Sequence, residues 1–203
     1  MTPLLIQMSG APGSGKSTLA RAIAPQLHAA VLDHDLIKAT LVEHLPAPAL
    51  AGTGPAQDAR PDQAAGRASY ELARRLAATL LDTGITVILD SPCFYAEQLE
   101  AGQQVAADHG AAYRYVECVT DNLDVVAARL RDRTAYPTQY RDMDQVPATA
   151  GSTAAVGPRG WRQWIDGMKR PADRSVYLRV DTSRPASECA AEILRFLHAT
   201  AAR

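Results

Sequence analysis

Neither sign of charge dominates this sequence. Its 21 Lys and Arg stand against 22 Asp and Glu, a net charge of −1, with a pI near 6.5. A dedicated nucleic-acid binder carries a basic excess or stripe, so the totals disfavour a nucleic-acid partner. Aromatic residues make up only 5% of the chain, and alanine supplies much of its apolar content, which predicts helices packed closely through small side chains. There are three cysteines, Cys93, Cys118 and Cys189. Their odd count excludes a simple disulfide framework, and their spacing matches no metal motif. Free thiols in a reducing compartment are expected, with Cys118 and Cys189 as small core residues. No run approaches the roughly 18 apolar residues that span a bilayer. No charged stretch followed by an apolar one precedes the first strand-like run, as a secretory signal would require. A soluble, cytoplasmic protein is expected.

What is present is a regular alternation. Five short apolar runs, Leu4–Met8, Ala30–Asp33, Ile85–Asp90, Tyr113–Val119 and Val176–Asp181, read as strands covered on both faces. Helical patterns lie between them over 17–27, 63–83, 96–109, 123–133 and from Pro185 onward. Asp62 and Asp121 are the expected caps at the starts of the second and fourth helices, and Gly84 the expected end of the second. In the 63–83 helix, Ala73, Leu76, Ala77, Leu80 and Leu81 share a face. Such alternation predicts one α/β domain over residues 1–203 with a parallel sheet, whose ligands lie at the carboxyl ends of the strands. Two Gly- and Pro-rich stretches, 46–61 and 134–160, interrupt the pattern. The second is expected to be a lid.

The chemistry begins at Gly10-Ala11-Pro12-Gly13-Ser14-Gly15-Lys16-Ser17. This matches G-x-x-x-x-G-K-[ST] between a strand and a helix. Gly10, Gly13 and Gly15 let the backbone wrap tightly, and with Ser14 they turn N–H groups inward as an anion cradle at a helix N-terminus. Lys16 supplies a positive charge for β- and γ-phosphates. The Ser17 hydroxyl is a hard ligand for Mg²⁺, and Thr18 adds a hydroxyl near the α-phosphate. ATP and Mg²⁺ are the implied cofactors.

Asp33 and Asp35 end the second strand two residues apart, so both can project the same way. Phosphoryl transfer to a hydroxyl needs a carboxylate to orient the acceptor and take its proton, a role given to Asp35, and one near the metal, given to Asp33. The alternative for Asp35 is a cap on a helix beginning at Leu36. His34 between them reads as a surface residue. Asp90 ends the third strand in a Walker-B-like position, facing either the metal or the acceptor. Cys93, Phe94 and Tyr95 follow it as candidates to line an acceptor pocket. Arg60, Arg67 and Arg74 are candidates to meet an anionic acceptor, or plain surface charges.

The phosphate loop together with Leu32-Asp33-His34-Asp35 resembles the shikimate-kinase-like and nucleotide-kinase-like P-loop kinases. It is especially similar to the AAA-type group of small kinases that includes zeta toxins and polynucleotide 5′-kinases. The resemblance implies a P-loop NTPase sheet of order 2-3-1-4-5 with helices on both faces and a lid. It implies ATP-dependent transfer to a hydroxyl, with Asp35 as the acceptor-orienting base. In resembling kinases arginines at the helix before the lid serve the phosphates. Arg133 is then expected on the transferring phosphate, and Arg129 on the adenine face or the phosphates. Tyr136, Tyr140, Arg141, Arg159 and Arg162 would belong to the lid. Trp161 and Trp164 read as packing residues. The acceptor read from these features is a small hydroxylated molecule such as a sugar, nucleoside or antibiotic. A polynucleotide 5′-end kinase and a regulatory nucleotide-binding ATPase are the alternatives. The sequence does not fix the oligomeric state.

Overall fold

A computed structural model describes residues 2–45, 61–145 and 157–201. In chain order the elements are β1 (Leu4–Ser9), α1 (Lys16–Leu27), β2 (Ala30–Asp33), α2 (His34–His44), α3 (Pro61–Asp82), β3 (Val87–Asp90) and α4 (Ala96–Asp108). They continue with β4 (Ala112–Val119), α5 (Leu123–Asp132), α6 (Gly157–Gly167), a short 3₁₀ turn (Arg174–Val176), β5 (Tyr177–Asp181) and α7 (Ala186–Ala201). The sheet has five parallel strands in the order β2-β3-β1-β4-β5, as the resemblance implied.

Alternation along β1 divides the core. Ile6 and Met8 point to one face, where Leu19, Ala20 and Ile23 of α1 and Cys189, Ile193 and Leu197 of α7 cover them. Leu5 points to the other, against Ala77 and Leu81 of α3 and Val105 and Ala106 of α4. This two-sided cover is why the strands read as nearly continuous apolar runs. Cys118 and Cys189 are buried free thiols in the first layer.

Several boundaries differ from expectation for local reasons. β3 starts at Val87 because Ile85 is left at the surface. Val176 belongs to the 3₁₀ turn before β5. Asn122, not Asp121, caps α5, its side chain accepting from the Asp124 and Val125 amides. α3 begins at Pro61, so Asp62 lies within its first turn. Its buried face is Ala65, Ser69, Ala73, Ala77 and Leu81, while Leu76 is exposed. Gly84, at φ 80, ends that helix as expected, its N–H donating to the Leu81 carbonyl at 2.9 Å. Arg60 and most of the stretch 46–61 lie outside the described residues, as does part of 134–160. The described part of the expected lid is a run of turns over 134–145 and the start of α6. Trp161 is fully buried, and with Leu130, Val126 and Met143 it forms a third apolar cluster under the phosphate loop.

The register aligns the functional ends. Asp33 pairs with Asp90, and Asp90 with Met8, which is followed by Ser9 and the loop. Two carboxylates and the start of a glycine-rich loop therefore share one edge of the sheet.

Candidate active site

The loop from Gly10 to Gly15 leaves β1 and feeds α1, whose N-cap is Gly15 at φ 84. Glycine is required at Gly10 for two reasons. Its φ is 145, and a Cβ there would lie 2.4 Å from Ser14 Oγ and 2.5 Å from the Cys118 carbonyl. At Gly13 a Cβ would stand 2.8 Å from Val126 Cγ1. The loop is thus pressed against β4 and α5, and its amides sit at the positive end of a helix.

Lys16 is buried, with its ammonium 3.0 Å from Asp90 Oδ1 and 3.5 Å from Ser17 Oγ. Burial alone would depress its pKa; the nearby charges of Asp90, Asp35 and Asp33 outweigh that and raise it. It is a fixed cation. The contact with Asp90 is an ion pair rather than a well-aligned hydrogen bond, and Asp90 Oδ2 has no hydrogen-bond partner among the described residues. Ser14 Oγ is likewise buried and unpartnered. Unsatisfied polar atoms around an amide cradle are what a polyanion and its cation would fill.

α2 begins one residue after β2 ends, and that places the acids. Asp33 is its N-cap: Oδ1 accepts from the Asp35 and Leu36 amides at 3.0 and 3.2 Å, and Oδ2 takes Arg21 at 2.9 Å. The alternative for Asp35, a helix cap, falls away because Asp33 makes that cap. Burial, then repulsion from Asp90, raises the Asp33 pKa. Asp35, in the first turn, turns into the cleft, where Gln139 Nε2 donates to its Oδ2 at 2.7 Å. Burial pushes its pKa up, but Lys16, His34 and the Gln139 bond prevail and hold it below the ordinary value. His34 is not at the surface. It is buried, stacked on Tyr70 with centroids 3.8 Å apart, and its Nδ1 lies 2.8 Å from Ser69 Oγ. The Ser69 hydroxyl also lies 2.7 Å from the Gly66 carbonyl, so it bridges His34 to the start of α3. Desolvation lowers its pKa to about 4.

Two arginines close the far side. Arg129 donates to the Thr182 carbonyl at 2.5 Å, to Thr182 Oγ1 at 3.3 Å and to the Gly13 carbonyl at 3.4 Å. Thr182 Oγ1 in turn donates toward the Ser14 carbonyl at 2.8 Å. This ties the loop after β5 to the phosphate loop. Arg133 donates to the Tyr140 carbonyl, and its Nε is buried without a partner among the described residues. Desolvation lowers its pKa, opposed by the charge of Asp35.

These groups line one cleft of about 770 Å³. Gly10, Gly13, Ser14, Gly15, Lys16, Ser17, Thr18, Asp33, Asp35, Arg129 and Arg133 all contribute to it. Asp90 lies beneath, holding Lys16. Arg67 and Tyr95 do not line it: both are exposed, and Tyr95 sits at the start of α4. Arg74 pairs with Glu71 on the surface. Cys93 is buried and receives a hydrogen bond from Gln7 at 3.6 Å, and Phe94 packs on Trp164. Gln139 carries no sequence signal, because an isolated Gln in a loop has none, and only its bond to Asp35 brings it into the site. No cluster of three or more His, Cys, Asp or Glu that could hold a metal occurs among the described residues, and no described helix is long and apolar enough to cross a membrane.

Residues 5–150 match the family model described as an AAA domain. No curated protein matches the chain in sequence. Among solved structures, a Chloroflexus aurantiacus protein is 20% identical with a TM-score of 0.66, over 98% of this chain and 97% of that one. The APS kinase of Mycobacterium tuberculosis, in complex with AMPPNP and APS, is 22% identical with a TM-score of 0.61, over 97% and 98%. A gluconokinase from Sinorhizobium meliloti 1021 is 16% identical with a TM-score of 0.57, over 98% and 94%. The last three comparisons show the shared P-loop fold.

Proposed function

The chain belongs to the AAA-domain family, and from that membership and its cleft we propose that it is an ATP-dependent kinase acting on a hydroxyl of a small molecule. One observation carries the reading: the Asp35 carboxylate, held ionised, opens into the same cleft as the phosphate loop and is coupled electrostatically to Lys16. The APS kinase and gluconokinase structures share this fold, which supports a small acceptor.

In this mechanism the loop amides and Lys16 bind the β- and γ-phosphates of ATP. Lys16 exchanges part of its contact with Asp90 for phosphate oxygen. Asp35 aligns the acceptor hydroxyl and takes its proton as the new O–P bond forms and the bond from the γ-phosphorus to the bridging oxygen breaks, leaving ADP. Arg133, with its unpartnered Nε at the cleft, stabilises charge on the transferring group. Arg129 holds the nucleotide side together. Mg²⁺, when bound, supplies positive charge for the phosphate oxygens. The donors suited to it are the Ser17 hydroxyl and Asp90, whose Oδ2 is free. Asp33, the earlier candidate, already spends both oxygens on the α2 cap and Arg21, so it would act only at a distance. A shortage of protein carboxylates fits an ion bound mainly through phosphate and water. Closing the cleft excludes the water that would compete with the acceptor.

The test is label transfer from γ-labelled ATP to pools of sugars, nucleosides, aminoglycosides and oligonucleotides. Transfer to a small-molecule pool that fails in Asp35→Asn, with ATP binding intact, is expected. Release of label to water alone with every pool overturns the reading.

A further inference from the structure

Gln139 joins the chain after α5 to the tip of β2. Its backbone N–H closes a turn on the Tyr136 carbonyl at 2.9 Å. Its side-chain Oε1 accepts from the Tyr136 amide at 3.1 Å, while Nε2 donates to Asp35 Oδ2 at 2.7 Å. The amide is therefore fixed at both ends, and its orientation is set by two different partners. Asp35 Oδ1 receives no hydrogen bond among the described residues. On its other side the turn is anchored by Tyr140, whose ring meets Trp161 and Trp164 edge-on at 5.6 and 5.3 Å.

We propose that Gln139 is a positioning residue that latches the 136–140 turn onto Asp35, fixing Oδ2 and leaving Oδ1 as the oxygen that meets the acceptor hydroxyl. The last clause rests on the kinase reading; the latch does not. A carboxylate that must line up with an incoming O–H cannot be free to rotate, and here the group that stops its rotation arrives on a separate turn rather than on the helix that carries Asp35. Closure of the turn and alignment of the base are one event. A hydrogen bond to an ionised group shifts an open–closed population about tenfold or more.

The experiment uses the full chain and its two tryptophans, both in contact with Tyr140, read by acrylamide quenching without ligand. Gln139→Ala should raise quenching. Gln139→Glu should raise it further, since two carboxylates then face each other. The exchange Asp35→Asn with Gln139→Glu should return quenching to the wild-type level, because amide donor and carboxylate acceptor have traded places. A merely structural role would lower the melting temperature in all three without rescue by the exchange. Wild-type quenching in Gln139→Ala, or no rescue in a folded exchange variant, overturns the latch. A second arm measures transfer to whichever pool accepts label. Gln139→Ala should lower kcat about tenfold with the ATP KM unchanged, and wild-type kcat overturns the role in acceptor alignment. Rescue of quenching with no pool labelled would keep the latch and defeat the kinase reading, so the two fail separately.

Discussion

Under the proposed reading, the nucleotide side of the cleft is made mainly of backbone, and the acceptor side of side chains. Between Gly10 and Lys16 the important groups are main-chain amides, and their aim is set by glycine geometry and the start of α1. At the β2 tip, Asp35 is aimed by an amide more than a hundred positions away in sequence, and His34 beside it by Ser69 and Tyr70. The first kind of site is encoded locally, because eight consecutive residues fix it. The second is encoded by tertiary contact.

Substitution at the two sides should separate them. Asp35→Asn should leave nucleotide affinity intact while transfer falls by about 10²–10⁴-fold, the range for losing a general base. Calorimetry with a non-hydrolysable nucleotide and label transfer check the two halves. Gly10→Ala should lose both together, since the new Cβ would stand 2.4 Å from Ser14 Oγ at a φ of 145. Full nucleotide affinity in Gly10→Ala would break the contrast.

The same contrast explains what could be read from the sequence. Strand order, the phosphate loop and the cleft position of Asp35, Arg129 and Arg133 followed from patterns within short windows or from a resemblance those windows carry. His34 did not, because its burial depends on α3 packing across α2, and a lone His between two acids looks solvated. Arg67 and Tyr95 seemed eligible by position, yet the twist of α3 and the start of α4 turn them outward. Asp33 and Asp35 were distinguishable only once α2 was seen to begin at His34. That start, two residues before Leu36, makes one acid a cap and leaves the other for the cleft.

A third region, directly behind the phosphate loop, shows the same dependence on tertiary contact. Glu117 of β4 is fully buried. It pairs with Arg170 through both oxygens at 2.8 and 2.6 Å and accepts from the Tyr177 hydroxyl at 2.5 Å. Arg170 also donates to the Ile165 and Met168 carbonyls at 3.1 Å each, binding the end of α6 to the sheet. Arg170→Met leaves a buried carboxylate without its cation and should cost about 3–5 kcal/mol, by denaturant unfolding. The Tyr140 contact runs through α6, so acrylamide should reach the tryptophans more easily as well. An unchanged unfolding midpoint would separate this pair from the stability of the fold.

pH tests the acceptor side through His34. Its pKa in the folded chain is about 4, against 6.5 for the free side chain. Above 6.5 both states are neutral there and the group is silent. Between 6.5 and 4 the unfolded chain binds a proton that the folded chain refuses, so stability falls as pH drops, by about 3 kcal/mol in total. Unfolding curves at pH 7 and pH 4.5 should show this loss, and His34→Gln should lose less between the same two values.

The smallest effect belongs to the side chain that serves the backbone-built half. Arg129 touches the phosphate loop only through the Gly13 carbonyl at 3.4 Å, a weak bond, and makes its strongest contact with the Thr182 carbonyl. Thr182 keeps its hydroxyl 2.8 Å from the Ser14 carbonyl and its amide bond to the Val119 carbonyl at 2.8 Å without the arginine. Arg129→Met keeps an aliphatic side chain and removes the fork, including the Nη1 that lies over Gly15. The expected cost to stability is therefore about 1.5–3 kcal/mol, that of a hydrogen bond to a charged group. Nucleotide affinity should fall more than transfer at saturating nucleotide. If kcat fell instead with affinity unchanged, Arg129 would belong beside Arg133 at the reacting phosphate, and the division between a backbone side and a side-chain side would have to be redrawn through α5.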